Sequence, residues 1–228
     1  MRASGAWRLK PVSESASRYL VVEGPIGVGK TSLAVRLAKT FGAELMLERA
    51  EDNPFLERFY RDPKNAALPT QLSFLFQRAR QLQQLRQGDI FQPMRVADFL
   101  LEKDPLFARL NLDDEELKLY EQVYQHLTLD APRPDLVIYL QAPVDVLARR
   151  IVSRGIGYER LIQQDYLEKV TDAYSRFFHN YGSSPLLIVN ATDINPVENE
   201  EDYALLVREV QRVKSGRHYF NPTPASLR

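Results

Sequence analysis

Positions 23 to 32 read Glu-Gly-Pro-Ile-Gly-Val-Gly-Lys-Thr-Ser, directly after the apolar run Tyr19-Leu20-Val21-Val22 and directly before Leu33-Ala34-Val35-Arg36-Leu37-Ala38. Gly24, Pro25, Ile26, Gly27, Val28, Gly29, Lys30 and Thr31 satisfy G-x-x-x-x-G-K-[ST], and Ser32 continues the turn. Glycines let the backbone curl so that its N–H groups converge at the positive end of the following helix, where a polyphosphate can sit. Lys30 is placed to reach the outer phosphates of ATP, and the Thr31 hydroxyl to hold Mg²⁺. Such a stretch demands a strand running into a helix through a tight loop. It leaves open what receives the phosphate.

The rest of the chain supplies the strands and helices that such a loop requires. Apolar runs of strand length recur at 19–24, 44–48, 94–99, 135–141 and 186–191. Runs apolar on both faces are what a buried parallel sheet needs. Between them Leu72, Leu75, Phe76, Ala79 and Leu82 fall at helical spacing, as do Leu117, Tyr120, Tyr124 and Leu127. Asp113 is a candidate N-cap with Glu116 three residues on, and a long helix is expected from about Tyr158 to Tyr181, before Gly182 and Pro185. This alternation predicts an α/β doubly wound fold with five parallel strands. Residues 1–17 lack periodicity and read as a mobile tail, the folded domain spans 18–215, and 216–228 read as an irregular tail.

Composition narrows the partners. With 228 residues and 44% hydrophobic content the chain can bury a sizeable core. Thirty basic and thirty acidic residues cancel, so nothing in the net charge points to nucleic acid or a membrane surface. There is no cysteine, which removes disulfides, thiolate metal sites and a cysteine nucleophile, and no segment approaches a membrane span. With no signal-peptide block at the start, a cytoplasmic location is expected. His126, His179 and His218 have no metal-ligand spacing and read as structural or surface residues.

A phosphate cradle alone serves GTPases, motors and small-molecule kinases. No N-K-x-D guanine-reading motif is present and the chain is short for a motor core, so a kinase leads. Glu48 ends the second apolar run, and a carboxylate at the C-terminal end of a parallel strand faces the crevice where such sheets bind ligands. There it could take the proton of an attacking hydroxyl. A surface carboxylate opening a loop is the competing reading.

The blocks VVEGPIGVGKTS, E-x-x-x-D-N-P-F-L-x-x-F-Y (48 to 60), QLSFLFQR (71 to 78), KDPLFA (103 to 108) and RRIVSRGIGYE (149 to 159) decide between them. In that order and spacing the chain resembles the deoxynucleoside kinase family, and is most similar to its bacterial branch acting on purine deoxynucleosides. The resemblance implies a three-layer αβα P-loop kinase with a small helical lid at about 149–160. It implies ATP and Mg²⁺ dependent phosphorylation of a deoxynucleoside 5′-hydroxyl, purines favoured, in nucleotide salvage, by a homodimer paired through central helices. Glu48 falls where the family's hydroxyl base sits, Tyr60 where the 3′-hydroxyl is read, and Gln71 and Arg78 where the base is contacted. Arg150 and Arg154 match lid arginines that neutralise phosphate charge, and Glu159 matches a residue that reaches the 3′-hydroxyl on closure.

Three positions depart from the family pattern. Ile156 stands where many members have a further lid arginine, leaving Arg149 or Arg160 as substitutes or as solvated lid residues. Ala97-Asp98-Phe99 replaces an acidic-Arg-Ser motif, so Asp98 is read as the carboxylate for Mg²⁺ or the 5′ end, or as an N-cap for a helix starting at Phe99. Lys103 occupies a position where many relatives place an acid that reads the base. The donor adenine is expected near the loop 190–198. The rival readings are a nucleoside-monophosphate kinase of the same fold and a nucleotide-binding regulatory module without catalysis.

Overall fold

The computed structural model describes residues 18–87, 94–192 and 199–221. Strand β1 (Arg18–Glu23) and helix α1 (Lys30–Phe41) flank the glycine loop. Then come β2 (Glu44–Met46), α2 (Leu56–Arg61), α3 (Pro63–Gln87), β3 (Met94–Ala97), α4 (Asp104–Asn111) and α5 (Asp114–Thr128). After β4 (Leu136–Gln141) the chain forms α6 (Val144–Arg154), α7 (Gln164–Asn180), β5 (Leu186–Asn190), α8 (Glu200–Arg212) and β6 (Arg217–Phe220). Short 3-10 turns span Leu101–Lys103 and Gly157–Leu161.

The strands make one parallel sheet in the order β2-β3-β1-β4-β5-β6. β1 is central, with Val21 paired to Ala97 on one side and Val137 on the other. Successive strand side chains point to opposite faces, so each strand feeds two cores. Leu20, Val22, Ile138 and Val189 face α1, α6 and α8, where Leu33, Leu147 and Leu206 are fully buried. Val21, Val137, Tyr139 and Ile188 face the layer of α3, α5 and α7, with Leu75, Tyr120 and Phe178. Each such side chain contributes about 1.5–3 kcal/mol by leaving water. The architecture is the expected three-layer αβα.

The sheet has six strands where five were expected. Arg217–Phe220 pairs in parallel with Leu186–Val189, in a segment expected to be irregular. This edge strand carries no apolar run, so periodicity could not mark it. It is fixed instead by Arg217, whose guanidinium donates to the carbonyls of Phe178, His179 and Tyr181 at 3.1, 2.9 and 3.0 Å, around the end of α7. A cation there also suits the negative end of the helix dipole. Residues 1–17 and 222–228, read as tails, lie outside the described residues, as does most of the loop expected near the donor adenine.

Two helices were placed too generously. The helix expected from about Tyr158 is a 3-10 turn followed by extended Ile162 and Gln163, and α7 begins only at Gln164. No helix starts at Phe99, since the next turn is entered from Leu100, so Asp98 is not an N-cap. The α5 start is as expected, with Asp113 accepting from the Glu115 and Glu116 amides and Glu116 reaching back to the Asp113 amide. The apolar stripe of α5 turns inward. Tyr120 is fully buried, and Leu117, Tyr124 and Leu127 lie against the second core.

α3 forms a wall of the site despite an internal proline. Pro69 has no N–H for the carbonyl of Asn65. Arg58 of α2 donates to that carbonyl at 2.8 Å, and Asn53 donates to Thr70 O at 3.1 Å. The helix therefore continues through the proline with its freed acceptor satisfied by a neighbour.

Candidate active site

The glycine loop is held against β4 and α6 at close quarters. Gly27 has φ 84°, and a Cβ there would come 2.7 Å from Ile151 Cγ1 and 2.9 Å from Leu147 O. α1 begins with no side-chain cap and no acid in its first turn, so its leading amides are left to a ligand. Lys30 Nζ donates to Gly24 O at 2.8 Å and Pro25 O at 3.3 Å, curled over its own loop. Burial pulls its pKa below the ordinary lysine value, opposed by Glu23. The donors fit an anionic polyphosphate.

A cleft of about 1530 Å³ opens beside this loop. Glu48, Tyr60, Gln71, Arg78, Asp98 and Glu159 all line it, with Lys30, Thr31 and Arg154. These residues come from α1, the segment after β2, α2, α3, the segment after β3, and the end of α6 with the turn beyond it. Arg150 does not line it, and donates to Ala191 O at 2.8 Å.

Glu48 and Arg78 are joined at the centre. Arg78 Nη2 donates to Glu48 Oε1 at 2.7 Å, and Nη1 pairs with Asp104, which is fully buried. Asp104 also accepts from the Tyr120 hydroxyl at 2.7 Å. Burial acts to raise the Glu48 pKa, but Arg78 and then Lys103 outweigh it and hold it down at about 2. Its carboxylate is thus ionised throughout the neutral range. Among the described residues, Arg78 Nε and Gln71 Nε2 are buried donors with no hydrogen-bond partner. Unsatisfied buried donors are costly, so both suit a ligand that supplies acceptors.

Asp98 sits between the loop and Glu48. Its Oδ2 accepts from Thr31 Oγ1 at 2.5 Å and its Oδ1 from the Glu48 amide at 2.7 Å. Burial raises its pKa, with the Thr31 hydrogen bond working against that. A hydroxyl and a carboxylate side by side are oxygen ligands of the kind a hard cation prefers. No group of three or more metal-ligating side chains gathers among the described residues, so the remaining ligands of such a cation would be phosphate oxygens and water.

Lys103, expected at a base-reading position, is buried and committed elsewhere. It lies 3.3 Å from Glu23 Oε2 and donates to the Tyr174 hydroxyl at 3.2 Å. The next residue, Asp104, is an acid engaged by Arg78 and Tyr120. Sequence reading missed Glu23, Asp104, Tyr120 and Tyr174, whose partners are far away in the chain. One signal was available: Glu23 closes an apolar strand run, and a carboxylate there requires a cation.

The arginines expected over the phosphates hold protein partners in this structure. Arg154 donates to Glu159 Oε2 from Nε at 3.1 Å and pairs with Oε1 through Nη2. Arg149 is exposed and paired to Asp145 at 2.8 Å, which leaves it a solvated residue of α6. Tyr158 stacks on Tyr60, with centroids 6.1 Å apart and planes 10° apart. The Tyr60 hydroxyl, on a half-buried side chain, is held well above its ordinary pKa, by burial first and Tyr166 and Glu159 next, and so keeps its proton.

Residues 20–214 match the family model described as deoxynucleoside kinase. The chain belongs to the deoxynucleoside kinase family. It is 37% identical over 161 residues to a deoxyguanosine kinase of Bacillus subtilis, covering 68% of this chain and 76% of that protein. A deoxyadenosine kinase of Lactobacillus acidophilus is 28% identical over 207 residues, 85% of this chain and 94% of that one. Among solved structures, the deoxyadenosine kinase from M. mycoides with bound dATP aligns with a TM-score of 0.74 and 26% identity, over 85% of this chain and 99% of that chain. The kinase is therefore an enzyme that phosphorylates deoxynucleosides at the 5′-hydroxyl using ATP, the usual role being nucleotide salvage. The monophosphate-kinase and non-catalytic readings fall away. No described helix is long and apolar enough to cross a membrane.

Proposed function

We propose that this kinase acts on purine deoxynucleosides, deoxyadenosine or deoxyguanosine, with Mg²⁺ alongside ATP. One observation carries the base preference: Gln71 Nε2 and Arg78 Nε are buried, on one face of α3, and without hydrogen-bond partners among the described residues. Seven residues apart, they lie two turns along one helical face. A guanidinium suits the O6 and N7 acceptors of guanine, and an amide, both donor and acceptor, suits the N6 and N7 edge of adenine. The names of the relatives support the same class.

In this reading Glu48 takes the 5′-hydroxyl proton as that oxygen attacks the γ-phosphorus, the bond to the β-phosphate oxygen breaks, and ADP leaves. Tyr60 and Glu159 hold the 3′-hydroxyl. Lys30 and the loop amides bind the phosphates, joined by Arg150 and Arg154 once the lid releases them from Ala191 and Glu159. Thr31 and Asp98 would hold Mg²⁺, which supplies charge neutralisation at the phosphates. Lid closure excludes water and so limits ATP hydrolysis. The kinase works as a cytoplasmic homodimer in this account, with Leu119 on α5 and Phe76 on α3 half exposed.

The test of the base reading is Gln71→Leu. The KM for the preferred purine deoxynucleoside rises about tenfold or more while that for ATP stays put, since a buried donor is lost only on the acceptor side. An unchanged nucleoside KM overturns the assignment.

A further inference from the structure

Among the described residues, two cations lie within 4 Å of Glu48, one for each of its oxygens. Arg78 takes Oε1 at 2.7 Å, and Lys103 Nζ stands 3.7 Å from Oε2. Lys103 arrives from the turn after β3 and its side chain is 4% exposed. Its nearer carboxylate is Glu23, fully buried, the residue before the first loop glycine. Glu23 Oε1 accepts the Gly24 amide at 2.8 Å and the Tyr174 hydroxyl at 3.0 Å, and Oε2 accepts the Leu100 amide at 2.9 Å. The Glu23 carboxylate is thus tied to the phosphate loop, to the segment after β3 and to α7. Among the described residues, Lys103 is the ammonium that pairs with it, and it also reaches Glu48.

We propose that Lys103 is a positioning residue for phosphoryl transfer, bridging Glu23 to Glu48 so that the acceptor-side carboxylate keeps a fixed place relative to the phosphate loop. The proposal rests on the reading of Glu48 as the base. The in-line attack requires the hydroxyl, the base and the γ-phosphate to be in register, and a misplacement of about 1 Å costs up to roughly a hundredfold. Arg78 alone fixes one oxygen and leaves the carboxylate free to swing about that contact. Lys103 fixes the other. It does so while also paired to Glu23, the residue before the phosphate loop, whereas Arg78 is paired to Asp104.

Removing Lys103 alone would strand the Glu23 charge, so the variant tested is Lys103→Met in a Glu23→Gln background, where the buried pair disappears together. The readout is the ratio of deoxynucleoside monophosphate formed to ATP hydrolysed to water, with deoxyadenosine and with deoxyguanosine. That ratio does not depend on the fraction of protein folded. It falls about tenfold or more relative to wild type, and part of the way in Glu23→Gln alone, where the bridge has lost one end, with the KM for ATP the same in both variants, because transfer to the sugar needs a placed Glu48 and hydrolysis does not. Lys103→Arg recovers most of it, and in a Glu48→Gln background the loss of Lys103 lowers the ratio no further. If the double variant keeps the ratio while Glu48→Gln loses it, Lys103 merely neutralises Glu23 and the proposal fails. If Glu48→Gln itself keeps the wild-type ratio, the base assignment fails instead.

Discussion

Arg78 donates to Glu48 at 2.7 Å with one nitrogen and pairs with buried Asp104 through the other, so a single guanidinium ties Glu48, in the segment after β2, to the start of α4. Glu48 is thereby held ionised and aimed. Replacing it by glutamine keeps the shape and removes the proposed proton acceptor. The expected kcat falls by about 10²–10⁴, with ATP binding retained as measured by equilibrium titration.

The same contact makes stability depend on acid. Against the opposing effect of burial, Arg78 and Lys103 depress the Glu48 pKa from 4.5 to about 2. A depressed folded-state pKa gives stabilisation that is complete above the unfolded value and is lost as pH falls toward the folded one. Between pH 5 and pH 3 the wild type therefore loses on the order of 2 kcal/mol more than Glu48→Gln. Urea midpoints of both proteins at the two pH values measure this. Equal losses would show that Glu48 is not ion-paired in solution.

Asp104 is the partner whose removal damages the fold rather than the chemistry. Asp104→Ala leaves Arg78 with Glu48 alone and strips the Tyr120 hydroxyl of its acceptor. Breaking a buried pair from one side costs about 3–5 kcal/mol, or roughly 10 °C of Tm in a domain of this size. Asp104→Asn keeps an acceptor for Tyr120 and loses less. Differential scanning fluorimetry of the two variants gives the order.

In the phosphate loop, Gly27→Ala sets a Cβ 2.9 Å from the Leu147 carbonyl, at φ 84°. A backbone atom cannot rotate away, so the loop and α6 separate. The KM for ATP rises about tenfold or more, by the weight that backbone strain and lost loop amides carry together. Gly182→Ala, with open space around it, leaves that KM unchanged.

How far the sequence could be read follows from the range of each signal. The phosphate loop and five strands carry their signatures within a few adjacent residues, and they were legible. β6 was not, because an edge strand held by Arg217 against the end of α7 needs no apolar alternation. Glu48, Tyr60, Gln71, Arg78 and Glu159 could be named through blocks of family spelling, and they line one cleft. What spelling did not reveal was the charge network beneath them. Glu23 and Tyr174 are 151 residues apart, Glu23 and Lys103 are 80 apart, and no local pattern encodes such contacts. The pairing of Arg154 with Glu159 also escaped the sequence, since each residue had been assigned to a ligand.

The central claim is tested most directly by supplying the purified kinase with ATP, Mg²⁺ and one acceptor at a time, each deoxynucleoside, ribonucleoside and nucleoside monophosphate in turn, and identifying the product. The account predicts 5′-monophosphates from deoxyadenosine or deoxyguanosine at higher kcat/KM than from pyrimidine deoxynucleosides. Turnover confined to monophosphate acceptors, or a preference for pyrimidine deoxynucleosides, would contradict it.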